Sequence, residues 1–202
     1  QQILNKSEVR SLSLTAVHDS RFPFLKPFRG VYTSFGVENA GLVFGGATFA
    51  KYTGEIRKYF IVKKGKEGNP DEAKLPKHWV YATRLMAGGS SGVPPFLDQF
   101  QMGGADTLRG YKDDRFPGET MVLWNHELRI PITEALDVVG FFDTGDAWGG
   151  RFADALGDSR FKLRYGYGGG IRVQTPIGPL RLDYGINDEG GSEFTFGVGP
   201  TF

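Results

Sequence analysis

The 202-residue sequence has no cysteine, which excludes disulfides and thiolate metal sites. It has no excess of either charge. Its 24 Lys and Arg stand against 23 Asp and Glu, and a net +1 gives nucleic acid no electrostatic hold on it. No apolar run approaches the roughly 20 residues of a transmembrane helix. That rules out a helical span but not a membrane β-barrel, which hides its apolar half in alternation. There is no opening methionine and no signal-like apolar stretch, so the chain reads as a processed or excised product. What it does contain is glycine, 30 residues of it, and 14% aromatics at a mean hydropathy of −0.29. Many turns and many rings with little net hydrophobicity point to an all-β chain.

The second half alternates with period two. In "TMVLWNHELRI" (120–130), Val122, Trp124, Leu128 and Ile130 share one face, and Asn125, Glu127 and Arg129 share the other. Leu136, Val138 and Phe142 likewise oppose Asp137 and Asp143. Tyr165, Tyr167 and Ile171 oppose Arg164 and Arg172, and Leu182 and Tyr184 oppose Arg181 and Asp183. The chain closes on "EFTFGVGPTF", where Phe194, Phe196 and Phe202 have the same parity. Weaker alternation at 9–17, 31–37, 44–62 and 78–88 brings the count to nine segments. The expected arrangement is a single domain over 1–202. Residues 1–28 form a periplasmic or partial-strand segment, and 89–118 form a long loop on the extracellular side.

Period two fits a soluble sandwich with its apolar face inside, and equally a membrane barrel with its apolar face in lipid. Three features favour the barrel. Aromatics (Trp79, Trp124, Trp148, Tyr165, Phe202) sit near the ends of the apolar faces, as interfacial girdles require. The polar parity mixes Arg, Glu and Asp with glycine, as a crowded lumen would. Long connections fall on the side of the 89–118 loop, with "PITE" and "TPIGP" opposite. The expected fold is therefore an antiparallel transmembrane β-barrel. Because bacterial barrels have even strand numbers, eight strands are expected from the nine segments.

Several motifs also resemble those of a known family. "GGADTLRGY", with Gly103, Gly104, Leu108, Arg109, Gly110 and Tyr111, resembles the loop signature of the BamA/TamA/TpsB superfamily of outer-membrane assembly and translocation barrels. "GFFDTGDAW", "TPIGPLRLDYG", the upstream "HDSRFPFLKPFRG" and a phenylalanine-ended last strand (Phe194, Phe196, Phe202) are similar to further motifs of that family, in the same order. The resemblance runs from about residue 9 to 202 and covers half of a sixteen-strand barrel, with no α/β pattern of POTRA domains ahead of it. It implies a bacterial outer-membrane location, contact with outer-membrane lipid, a role in outer-membrane protein assembly or insertion, and client outer-membrane proteins as partners. The alternative is a small structural or pore-forming outer-membrane barrel without insertase activity. The sequence offers no convergent polar triad near one rim, so no enzymatic activity is expected, and no cofactor. The odd strand number adds the expectation of a homodimer joined through open edges.

The resemblance also implies that Arg109 folds back onto acidic residues of the next two strands, which here are Glu127 and Asp143. Both lie on the polar parity. A guanidinium can satisfy two carboxylates through planar, paired hydrogen bonds, which a lysine cannot. The alternative is a solvated Arg-Gly turn. Other motifs carry less. "GGSSG" (88–92) matches a hydrolase elbow but is followed by "VPPF" and no helix, so it reads as the start of a loop. His18, His78 and His126 lack metal-ligand spacing, and Asp106, Asp113 and Asp114 lack a full ligand set. The glycines of "GYGGGIR" read as room for twist or close packing, and "KKGK" (63–66) as a solvated turn.

Overall fold

The computed structural model describes residues 8–43, 45–65, 77–156, 159–175 and 178–202. Residues 1–7, Lys66 of "KKGK" with the rest of 66–76, and Pro176 and Ile177 of "TPIGP" lie outside the described residues. In chain order the strands are β1 (Ser11–Asp19), β2 (Gly30–Gly41), β3 (Gly45–Lys63), β4 (Trp79–Gly92), β5 (Phe100–Met102), β6 (Phe116–Gly118), β7 (Thr120–Pro131), β8 (Leu136–Trp148), β9 (Arg164–Thr175), β10 (Gly178–Asn187) and β11 (Ser192–Val198). One short helix, α1 (Arg151–Leu156), follows β8. Among the described residues no helix is long and apolar enough to cross a membrane.

Strands β5 and β6 pair with each other inside the long loop. The other nine form one antiparallel sheet in which each strand bonds to its neighbours in the chain. The sheet therefore has nine strands where eight were expected. Residues 11–19 pair with β2 without a break, from Ser11 opposite Ala40 to Asp19 opposite Tyr32, and the alternating Leu12, Leu14 and Ala16 continue the apolar face of Phe35 and Val37. No ladder joins β1 to β11 among the described residues, so the sheet curls without closing. It curls far enough for Phe202, beyond β11, to pack on Tyr59 of β3 and on Val80 and Ala82 of β4.

The exposed parity is the apolar one. Trp124, Phe142, Tyr184 and Phe196 are 50%, 43%, 42% and 67% exposed, whereas Glu127, Asp143, Arg172 and Asp183 are 1%, 0%, 4% and 2% exposed. Water would penalise both halves of that pattern, whereas a hydrocarbon solvent around the sheet favours the first and leaves the second to pair internally.

Two local expectations change. "GGSSG" is extended backbone, because Gly89 pairs with Tyr52 and Ser90 donates its N–H to the Glu119 carbonyl (2.8 Å), so β4 runs on to Gly92. Connection lengths do not sort by side either. The strand directions put 20–29 and 64–78, both long, at the end that carries "PITE".

An arginine on the outer face should be costly. Phe142→Arg at the centre of β8 is expected to destabilise the barrel in lipid vesicles by about 2–4 kcal/mol, read from urea denaturation.

Candidate functional site: a loop strapped to the inner wall

The connection between β4 and β7 turns back over the concave face of the sheet, its base closed by the β5–β6 pairing (Phe100 opposite Gly118, Met102 opposite Phe116). Phe100, Met102, Leu108, Tyr111 and Phe116 form an apolar core with Met121 and Leu123 of β7 and Ala147 of β8. Leu108 and Tyr111, which flank the Arg109–Gly110 pair, are buried in it. Gly103 and Gly104 have φ of +118° and +93° at the turn, which Thr107 closes by donating its hydroxyl to the Gly103 carbonyl (2.8 Å).

The loop tip lies against backbone. Gly110 (φ +96°) passes Ile186 of β10, and its carbonyl accepts from Asn187 Nδ2 (2.6 Å). A Cβ on Gly166 of β9 would strike the Arg109 carbonyl oxygen. Glycine is needed here for close approach.

The structure brings Arg109, Glu127 and Asp143 together. Arg109 donates from Nε to Asp143 Oδ2 (2.6 Å), from Nη2 to Asp143 Oδ1 (2.9 Å) and from Nη1 to Glu127 Oε2 (2.8 Å). Its guanidinium carbon lies 3.7 Å from the centre of the Phe141 ring. Burial works against its charge, but the carboxylates of Asp143, Glu127 and Asp183 outweigh that and hold its pKa above the ordinary arginine value.

The cluster is larger than the three residues singled out from the sequence. Arg172 of β9 donates to Glu127 Oε2 (2.8 Å) and, through both terminal nitrogens, to Asp183 of β10 (2.6 and 3.0 Å). Arg129 donates to Glu127 Oε1 (2.7 Å), and Asn125 Nδ2 donates to Asp143 Oδ1 (2.8 Å). Arg109, Arg129 and Arg172 thus balance Glu127, Asp143 and Asp183 in formal charge. The signal for the added members was the shared inner parity of Arg129, Arg172 and Asp183. Next to this cluster, Arg84 of β4 bonds to the Asp106 carbonyl (2.6 Å) and Arg181 of β10 to the Asp106 carboxylate (2.7 Å). The strap is therefore held from β4 across to β10. Arg164 pairs with Asp146 on the same wall.

An arginine-bearing loop bound to the inside of an apolar-outward sheet accompanies a sequence match over nearly the whole chain: the Omp85 superfamily domain aligns with residues 4–202. The chain belongs to the Omp85 superfamily. It is 36% identical over 107 residues to outer envelope protein 80 of Arabidopsis thaliana chloroplasts, covering 50% of this chain and 15% of that protein. It is 29% identical over 174 residues to outer envelope protein 39 of the same plant, covering 74% and 47%. BamA of Haemophilus ducreyi, in a crystal structure lacking POTRA domains 1–3, superimposes with a TM-score of 0.74 at 20% identity, covering 94% of this chain and 42% of that one. The chain thus spans less than half of each of these proteins. It is an outer-membrane β-barrel of the Omp85 superfamily with a BamA-like fold.

Within this Omp85 barrel the three terminal phenylalanines do not act alike. Phe194 and Phe196 face outward from β11. Phe202 does not share their face or sit in an interfacial girdle. The chain turns inward at Gly199 (φ +96°), and the ring is buried against Tyr59, Val80 and Ala82, with Arg84 and Arg129 5.5 and 5.7 Å from its centre. His18, His78 and His126 stay apart, and no group of three His, Asp or Glu among the described residues could hold a metal ion.

Arg109→Ala would leave Asp143 buried without its main partner and take one of three arginines from Glu127. The expected cost is about 3–5 kcal/mol of stability, together with new trypsin cleavage at Lys112 and Arg115, checked by urea unfolding and limited proteolysis in detergent.

Proposed function

We propose that this chain supplies the barrel of a non-enzymatic, cofactor-free machine that inserts β-barrel proteins into a bacterial outer membrane. The observation that carries the reading is the strap, a family-type loop whose arginine is locked to the inner wall. It occupies the concave side from β4 to β10, and the Phe202 tail fills more of it from the opposite end. An interior filled in this way is poorly suited to conduction.

What stays chemically open is the edge. Among the described residues, the far sides of β1 and β11 have no strand partner, and hydrocarbon offers their N–H and C=O groups none. A client strand can pair there. A second copy of the chain can do so as well, and a two-chain mass by native mass spectrometry in detergent would support that arrangement. The strap gives the edge strands a rigid wall to work from, because the ion cluster ties β7, β8, β9 and β10 to one loop.

The test is the folding of an unfolded outer-membrane barrel diluted into vesicles, followed by its heat-modifiable gel shift. Vesicles carrying this protein should fold the client several-fold faster than empty ones, and Arg109→Ala should remove the gain. Equal rates with and without the protein would contradict the insertase reading and leave a structural barrel.

A further inference from the structure

At the end of the barrel opposite the strap, β1–β4 carry cations seated on aromatic rings. The Arg29 guanidinium lies 5.0 Å from the centre of the Phe22 ring, Lys58 Nζ 5.0 Å from Phe60, and Lys63 Nζ 5.0 Å from Trp79. All three cations are exposed, and none pairs with a carboxylate among the described residues. Arg21 differs, being held by both oxygens of Asp19 (2.9 and 2.7 Å). The register gathers the group, with Gly30 opposite Tyr59 and Lys63 opposite Trp79. The turn that presents Arg29 is fixed by backbone bonds from Phe22 N–H to the Arg29 carbonyl (3.0 Å) and from Phe28 N–H to the Phe22 carbonyl (3.1 Å).

This cluster ends the lipid-facing surface. Phe35, Ile56 and Leu85 belong to the apolar outer parity of the same strands. Lys58 is itself on that parity, between Ile56 and Phe60. An ammonium left in hydrocarbon is costly, and Lys58 instead runs along the Phe60 ring toward the strand end, as a snorkelling lysine does. Phe22 and Phe24 remain 52% and 65% exposed on the turn, which suits the boundary between acyl chains and headgroups. The other half of the rim is not like this. The turn between β7 and β8 carries Glu134 and no cation, and Lys26 is already paired with Asp137 (2.7 Å). Among the described residues, the exposed cations of this rim lie in its β1–β4 half.

We propose that this rim binds anionic phospholipid headgroups of the adjoining leaflet, with the phosphate held by Arg29, Lys58 and Lys63 and the glycerol and first acyl carbons against Phe22, Phe60 and Trp79. The proposal rests on the outer-membrane placement of the barrel and is independent of insertase activity.

The test is native mass spectrometry of the detergent-solubilised full chain with added phosphatidylglycerol or phosphatidylcholine of matched acyl chains. Phosphatidylglycerol should bind more tightly. The triple variant Arg29→Gln, Lys58→Gln, Lys63→Gln should lose about five-fold in that affinity per cation removed, with phosphatidylcholine binding unchanged. Far-UV CD identifies a folded variant. If the triple variant fails to fold, single Lys58→Gln and the wild-type comparison of the two lipids decide instead. Equal binding of both lipids by the wild type, or a preference for phosphatidylglycerol undiminished in a folded variant, would overturn the proposal. Client-folding rates on the same samples report the insertase reading separately.

Discussion

A guanidinium shut away from water must be met by carboxylates held in its plane, and much of this structure follows from meeting that demand at Arg109. Asp143 takes two of its N–H groups and Glu127 a third. Those carboxylates are buried too and would repel one another if left to a single arginine. Arg129 and Arg172 share the load on Glu127, and Arg172 brings in Asp183. Isolated buried ion pairs contribute little net stability, because desolvation offsets the attraction. A network of matched charges, in which Arg109 is bonded through Nε, Nη1 and Nη2, instead specifies one arrangement and penalises others.

That arrangement constrains the strands that carry it. The loop tip can reach the carboxylates only because β9 and β10 lack side chains along its path, where Gly166 and Gly185 give room to the backbone of Arg109 and Gly110. The apolar residues on either side of Arg109 play a complementary part. Leu108 and Tyr111 sit in a small core on β7 and β8, which aims the guanidinium between them at the inner wall. Outside, the same strands show rings to lipid. One alternating pattern thus serves a polar interior and an apolar exterior.

The alternation carried most of the fold. It placed Glu127, Asp143, Arg172 and Asp183 on one side and Trp124, Phe142 and Tyr184 on the other, which is how the sheet presents them. It did not determine which side faces inward, because that depends on the solvent and not on the period. The loop contact was legible only as a resemblance, since nothing local in "TLRGY" says which strands it will meet. The inward turn of Phe202 escaped notice because a single glycine at positive φ, Gly199, breaks the parity that Phe194 and Phe196 obey. The strand count differs because the even number belongs to closed barrels, whereas this sheet stays open between β1 and β11 among the described residues and β1 pairs with β2 along its whole length.

The claim that the strap is held by direct coupling between Arg109 and the inner wall is best tested by a double-mutant cycle. Unfolding free energies would be measured for Arg109→Met, Asp143→Leu and the pair in one detergent. Direct coupling predicts an interaction energy of about 2 kcal/mol or more. Effects that add to within about 0.5 kcal/mol would mean that Arg109 and Asp143 are not coupled and that the loop is held by its other contacts, and would contradict the account.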